Sequence, residues 1–304
     1  MTKAVRNNIR GSILPEKWFA FLLIIPAILS VSTVILIPLL RSITISFQDY
    51  SLLRLGKNEW IGFKNYLILF SNPDIWEILG NTFFFVFISS LFEFIIGFSF
   101  ALLLNSISRS RNMLSGIALI NWITPSVVVA FIWRWIFHGE YGIVNFVLTS
   151  LNITTENIQW ISDYRGAMMV IIIAHIWKQF PFMMVMILAG LQTVPKDVIE
   201  SSIIDGSNRL QRFLYIVLPY LKNIILISTL LSIIRNFQSF TIIWLITEGG
   251  PSNRTSTLSI DVFIKAFMEF DMGSASAVGT LWLIFLALIA LFYIRMMSKS
   301  RVYD

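Results

Sequence analysis

Long apolar runs alternate along this chain with short polar breaks. A helix needs about 20 mainly apolar residues to cross the hydrocarbon core of a bilayer. Six stretches have that length, residues 18–40, 82–104, 113–137, 167–189, 216–234 and 277–297. The pattern predicts an all-α polytopic membrane protein with six transmembrane helices over 18–304, preceded by a tail at 1–17. Lys3, Arg6, Arg10 and Lys17 come before the first run, as they would in a secretion signal. WFAFLLIIPAILSVSTVILIPLL is too long for the apolar part of such a signal and lacks a small-residue cleavage site, so an uncleaved first span is expected.

Three connections, 41–81, 138–166 and 235–276, are longer than neighbouring helices require and predict segments that fold or dock. NPDIWEILGNTFFF reads as a short amphipathic helix entering the second span, started by Asn72-Pro73-Asp74. EGGPSNRTSTLSIDVF reads as a Gly/Pro turn followed by a polar stretch.

The break at VIESSIIDGSNRLQRFLYIVLPY, residues 198–220, is different in kind. Pro195 suits the first turn of a helix and Asp197 complements the helix dipole there, so residues 196–205 predict a short helix. Gly206 can take the positive φ that ends it, and Ser207 or Asn208 can cap a second helix running into span five. Val198, Ile199, Ile203 and Ile204 give the first helix apolar surface, while Ser201 and Ser202 are small enough for close approach. With neither a basic polar face nor tryptophan anchors, the segment is built to insert into protein rather than to lie on lipid.

Composition supports the membrane reading: 56% of residues are hydrophobic, 13% are charged and mean hydropathy is +0.76. The net charge of +6 acquires meaning only after the sides are separated. With the N-terminus inside, inner segments carry 13 Lys/Arg and outer ones 8, which orients both termini to the cytoplasm. The basic balance is thus a topology signal and gives nucleic acid binding little support. The chain has no cysteine, and its two histidines, His138 and His175, lie far apart. No metal, nucleotide or nucleophile motif appears, so an enzyme is not expected, nor a cofactor bound by this chain.

Ionisable groups inside a bilayer are expensive and face a cavity or a partner. Glu93, central in span two, reads as a structural hydrogen bond or ion pair. Arg134, near the outer end of its span, reads as a side chain snorkelling to headgroups. His175, Lys178 and Phe182 share one helix face beside Pro181, which frees a carbonyl in mid-span and makes a polar, aromatic patch.

The break at 198–220 also carries a resemblance. Glu200-Ser201-Ser202, Asp205-Gly206, Gln211, Phe213 and Ile216-Val217-Leu218-Pro219 resemble the EAA signature of permease subunits of binding-protein-dependent ABC importers, with two serines in place of two alanines. WKQFPFMMVMILAGLQTVP (177–195), TEGGPSNRTSTLSIDVFIKAF (247–267) and GFKNYLILF (62–70) are similar to segments of the maltose and glycerol-3-phosphate branch of carbohydrate permeases. The resemblance runs from Trp18 onward and leaves no room for the large outer domain of the longer maltose-type relative.

The resemblance implies a mechanism and a set of partners. A cytoplasmic coupling helix between spans four and five docks on an ATPase subunit through Glu200, Ser201, Ser202 and Asp205, with Gly206 making the turn. Two ATPase subunits bind ATP and Mg. A second homologous permease completes the pathway, and an extracytoplasmic binding protein delivers a sugar across the bacterial-type inner membrane. It further implies that His175, Lys178, Gln179 and Phe182, with Ser232, Arg235, Asn236 and Ser239, line the sugar site. Lys178 keeps a second, architectural reading, because a Trp-Lys pair before this proline looks common in the family. If His175, Lys178 and Arg235 converge, the cavity is cationic and suits an anionic saccharide such as a uronate oligomer or a sugar phosphate. The rival reading, an ion-coupled secondary transporter, requires inverted repeats and a self-contained ion site, neither of which is visible.

Overall fold

In hydrocarbon a backbone has no water to bond, so each apolar run closes its hydrogen bonds upon itself as a helix. The computed structural model describes residues 16–54, 58–107 and 109–300. Among them α1 (Glu16–Val31) passes through a π-turn, Ser32–Leu36, into α2 (Ile37–Ile45). A two-stranded antiparallel ladder, β1 (Gln48–Asp49) with β2 (Glu59–Trp60), leads to α3 (Lys64–Ser71) and then to α4 (Pro73–Ser106). Then follow α5 (Arg111–Ile123), α6 (Ser126–Ile136), α7 (Ile143–Ser150), α8 (Tyr164–Thr193), α9 (Lys196–Ile204) and α10 (Arg209–Arg212). A second π-turn, Phe213–Val217, joins α10 to α11 (Leu218–Phe237), followed by α12 (Thr241–Thr247), α13 (Leu258–Phe263), a third π-turn, Ile264–Met268, and α14 (Met272–Ser300).

Among the described residues five helical stretches are long and apolar enough to cross a membrane, and a sixth qualifies if one bent pair counts as a single span. That pair corrects the expectation of one helix over 113–137. The segment is broken into α5 and α6, inclined at 88°. Thr124-Pro125 is the cause: proline lacks an N–H, and its ring forces the preceding residue out of the helical region. Thr124 accordingly has ψ 129° and Pro125 ψ 137°. Two other prolines are absorbed differently. Pro38 and Pro219 each follow a π-turn, whose wider ring accommodates the clash with the carbonyl four residues earlier. Leu218-Pro219 is therefore no break: helix runs from Arg209 to Phe237 without interruption. Pro26 and Pro181 sit inside α-helix.

The centre of the fold is the pair α4 and α8, whose interface includes Phe85, Ala101, Met183, Met184 and Ile187, all at most 1% exposed. Gly97 makes the close approach possible, since a Cβ there would lie 2.8 Å from Met183 Cβ and 2.9 Å from the Met184 amide nitrogen. At the other extreme none of the most apolar stretch of α1 and α2 is buried within the chain.

The three long connections fold, as their length suggested. Asn72 accepts from the Asp74 N–H at 2.9 Å and starts α4, so the expected short helix is the first part of one 34-residue helix. Between α6 and α8, buried Asn145 donates to the Gly139 and Ile158 carbonyls at 2.7 and 3.0 Å and accepts from Ile158 N–H and Trp160 Nε1 at 3.3 and 2.9 Å. Between α11 and α14, the segment after the Gly250-Pro251 turn is tied to α4 by the Leu258 N–H on Thr82 Oγ1 at 3.0 Å and to α11's end by Ser259 Oγ on the Ser239 carbonyl at 2.7 Å. Arg134, exposed in the last turn of α6, donates from Nη1 to the Leu245 carbonyl at 3.1 Å, fastening α6 to α12.

Candidate functional site: a protruding turn and a polar seam

The polar break forms helix, turn, helix. Pro195 stands as the N-cap of α9 and Asp197 lies in its first turn. Gly206 has φ +83° and nothing within 4 Å of where a Cβ would be. The residue therefore serves the turn rather than relieving a clash. Asn208 caps α10 through a reciprocal box, Gln211 N–H to Asn208 Oδ1 and Asn208 N–H to Gln211 Oε1, both 2.9 Å. Ser202 is buried, its hydroxyl donating to the Ile199 carbonyl, and its own carbonyl accepts from the Ser207 hydroxyl at 2.6 Å. Glu200, Ser201 and Asp205 are exposed. Ile203 and Ile204 are 52% and 86% exposed, and Leu210 and Tyr215 are exposed beside them.

The intramembrane residues divide into two groups. Glu93 on α4, His175 on α8, and Ser232 and Asn236 one turn apart on α11 are each at most 2% exposed and face one another. The Ser232 hydroxyl donates to Glu93 Oε2. Asn236 Nδ2 donates to Ser90 Oγ at 2.9 Å, and its Oδ1 accepts from His175 Nε2 at 2.8 Å. An amide oxygen cannot donate, so His175 carries its proton on Nε2 and Nδ1 accepts from the Ser239 hydroxyl at 3.3 Å. Glu93 Oε1 lies 3.6 Å from His175 Nε2.

A second group lies at the edge of that seam: Lys178 is buried, Gln179, Phe182 and Arg235 are intermediate and Trp122 is exposed. The Arg235 guanidinium carbon sits 3.4 Å from the centre of the Phe182 ring. Trp122, at the end of α5, stacks on the same Phe182 at 6.3 Å and 29°. Lys178 donates to the Trp122 carbonyl at 3.1 Å and to the Thr124 carbonyl at 2.5 Å, satisfying acceptors freed where the helix breaks. Gln179, intermediate in exposure, has a buried Oε1 with no partner among the described residues. Each of the three basic residues has partners of its own. Lys178 is committed to the break, His175 to Asn236 and Ser239, and Arg235 to an aromatic face. Trp122 was absent from the sequence-derived set; the Thr124-Pro125 step that places it was the available signal.

A cavity of about 1010 Å³ lies elsewhere, between α4 and α8, with Asn121 of α5 and Trp133 of α6 at its wall. Phe84, Phe92, Ile172, Ile176 and Phe180 give it a largely apolar wall, which suits hydrocarbon rather than hydroxyl groups. None of the predicted pathway residues lines it.

Known proteins to which this chain is similar are transport components. The chain is 32% identical over 281 residues, 92% of its length and 94% of the relative's, to the trehalose/maltose transport system permease protein of Thermococcus litoralis. To the sulfoquinovosyl glycerol transport system permease protein of Agrobacterium fabrum it is 34% identical over 94% of this chain and 92% of the other. The fold is similar, at TM-score 0.80 and 21% identity over 93% of this chain and 95% of the other, to a chain in the crystal structure of a bacterial ABC transporter that imports the acidic polysaccharide alginate. Residues 93–302 match the family described as binding-protein-dependent transport system inner membrane component. This chain belongs to that family: it is a multi-pass inner membrane permease of a binding-protein-dependent ABC importer, and not itself an enzyme.

Proposed function

We propose that this permease, with a second homologous permease subunit, forms the pathway for a sugar or oligosaccharide carrying negative charge, released by an extracytoplasmic binding protein and driven by two ATPase subunits that bind ATP and Mg. The observation that carries the coupling half is the turn at Gly206. Exposed Ile203, Ile204, Leu210 and Tyr215 surround a polar segment that carries Glu200 and Asp205. Such a surface suits a protein cleft, and the positive-inside count supports a cytoplasmic position for it and for both termini. In this reading α9 is the coupling helix, and rigid transmission through α8 and α11 links ATPase closure to the pathway.

Carbohydrate as cargo is supported by the relatives' names, among them trehalose/maltose, sulfoquinovosyl glycerol and, at 25% identity, a diacetylchitobiose uptake permease of Streptomyces coelicolor. The patch of Trp122, Phe182, Gln179, Arg235 and Ser239 has the chemistry for it: aromatic faces for the C–H surface of a sugar ring, and donors and acceptors for its edges. His175, Ser232 and Asn236 then line the site from behind, through Ser239 and Arg235, and Lys178 holds Trp122. Negative charge on the sugar is inferred from Arg235, the cation on the patch. Uptake of a uronate oligosaccharide by the reconstituted transporter is expected to fall about tenfold or more in Arg235→Ala, as for a lost charge-assisted hydrogen bond, with neutral maltooligosaccharide uptake unchanged. Equal transport of both by the parent, unaltered by the substitution, would remove the acidic assignment.

A further inference from the structure

We infer that Glu93 is a positioning residue that sets the rotation of α11 and so holds the Arg235 guanidinium on Phe182. The substrate role of Arg235 rests on the function proposed above; the positioning does not. Ser232 and Asn236 lie one helical turn apart on α11, and Arg235 immediately precedes Asn236. Ser232 is fixed by Glu93, and Asn236 by Ser90 and His175. Two elements thus grip one face of α11, α4 through Glu93 and Ser90, and α8 through His175. Successive residues on a helix project about 100° apart. With Asn236 held against α4 and α8, Arg235 is directed to one side, where Phe182 receives it at 3.4 Å.

Glu93 is the only member of the seam with an acidic side chain, and it is 2% exposed. It is the acceptor for Ser232, whose other near neighbour in the seam is Asn236 Nδ2 at 3.5 Å. Removing the carboxyl leaves the Ser232 hydroxyl without that acceptor and opens space beside it, and buried polar groups in that condition re-pair by moving. Rotation of α11 is the movement that re-pairs Ser232 within the seam, and it carries Arg235 away from Phe182.

The absence of cysteine from the chain makes a direct test possible. Gln238 is exposed and lies one turn after Arg235, its N–H bonded to the Arg235 carbonyl at 3.1 Å. A Gln238→Cys reporter in the assembled, membrane-embedded transporter can be labelled with an anionic and with a cationic methanethiosulfonate reagent. The ratio of the two rates reads the local potential. Removing the nearby guanidinium with Arg235→Ala is expected to lower the anionic-to-cationic ratio about fivefold, and sets the scale.

Glu93→Ala is expected to lower it by a comparable factor, Ser232→Ala by part of it, and Glu93→Gln, which keeps an oxygen for Ser232, not at all. Removing negative charge at Glu93 can only move the ratio upward, so a fall reports displacement of Arg235. A ratio in Glu93→Ala at or above the parent's, or a fall in Glu93→Gln equal to that in Glu93→Ala, would overturn the inference. If Glu93→Ala does not assemble, Ser232→Ala, which leaves Glu93 in place, decides the matter in its stead: the ratio must fall, and an unchanged ratio overturns the inference. Labelling involves no sugar. An Arg235→Ala variant that transports normally would therefore remove the substrate reading and leave the positioning result standing.

Discussion

Gly206→Val is expected to abolish ATP-driven uptake in the reconstituted transporter while the chain still inserts and the ATPase subunits still hydrolyse ATP. Gly206 has φ +83°, where a β-branched residue is strained by about 1–3 kcal/mol, yet nothing described beyond its chain neighbours lies within 4 Å of the added Cβ. The substitution therefore threatens the shape of the turn and whatever docks against it, and little else in the chain. Every 1.4 kcal/mol lost from docking is about tenfold in affinity, so even moderate distortion separates hydrolysis from transport. Gly206→Asp is expected to do the same and to add an anion beside Asp205. Gly206→Asn separates shape from bulk, because asparagine tolerates the left-handed region. It should retain more uptake than valine if the turn's shape is what matters. ATPase activity and uptake measured on the same vesicles check this; normal uptake in Gly206→Val would exclude α9 as the coupling helix.

Gly97→Val is expected to destabilise the bundle itself, by about 2–3 kcal/mol or more, seen as a lower unfolding temperature in detergent and reduced insertion. A Cβ at Gly97 meets Met183 Cβ at 2.8 Å and the Met184 amide nitrogen at 2.9 Å. Neither is the far end of a flexible side chain, so relief requires α4 and α8 to separate. For the same reason Met183→Ala, which retains its Cβ, should not rescue Gly97→Val. Thermal unfolding followed by tryptophan fluorescence tests both; an unchanged midpoint would mean that the α4 and α8 contact is not the centre of stability. The two glycines thus predict opposite failures, one of coupling with the fold intact and one of the fold.

The apolar runs made the spans legible because length and hydropathy alone decide whether a helix can cross a membrane. The break in the third run was not, since Thr124-Pro125 lies inside a stretch whose average hydropathy hides it. A proline there has several outcomes: Pro181 stays within α8, Pro219 follows a π-turn, and Pro125 turns the chain by 88°. Tertiary packing chooses among them. The turn at 196–212 could be read nearly residue by residue, because caps and a positive-φ glycine are local devices. Glu93, His175 and Arg235 were visible as charges in apolar sequence, but their partners were not. Glu93 meets Ser232 across 139 positions and His175 meets Asn236 across 61, distances at which spacing carries no information. Asn145 is hidden for a related reason, as nothing in a single asparagine announces that four hydrogen bonds will close on it.

Whether this permease works as part of an ATP-driven importer is decided by uptake into sealed vesicles that carry it. Labelled oligosaccharide should accumulate only when the partner permease, ATPase subunits, ATP with Mg and a loaded binding protein are all present, and it should do so with ion gradients collapsed. Accumulation driven by a proton or sodium gradient by this chain without the ATPase subunits would refute that assignment and establish a secondary transporter instead.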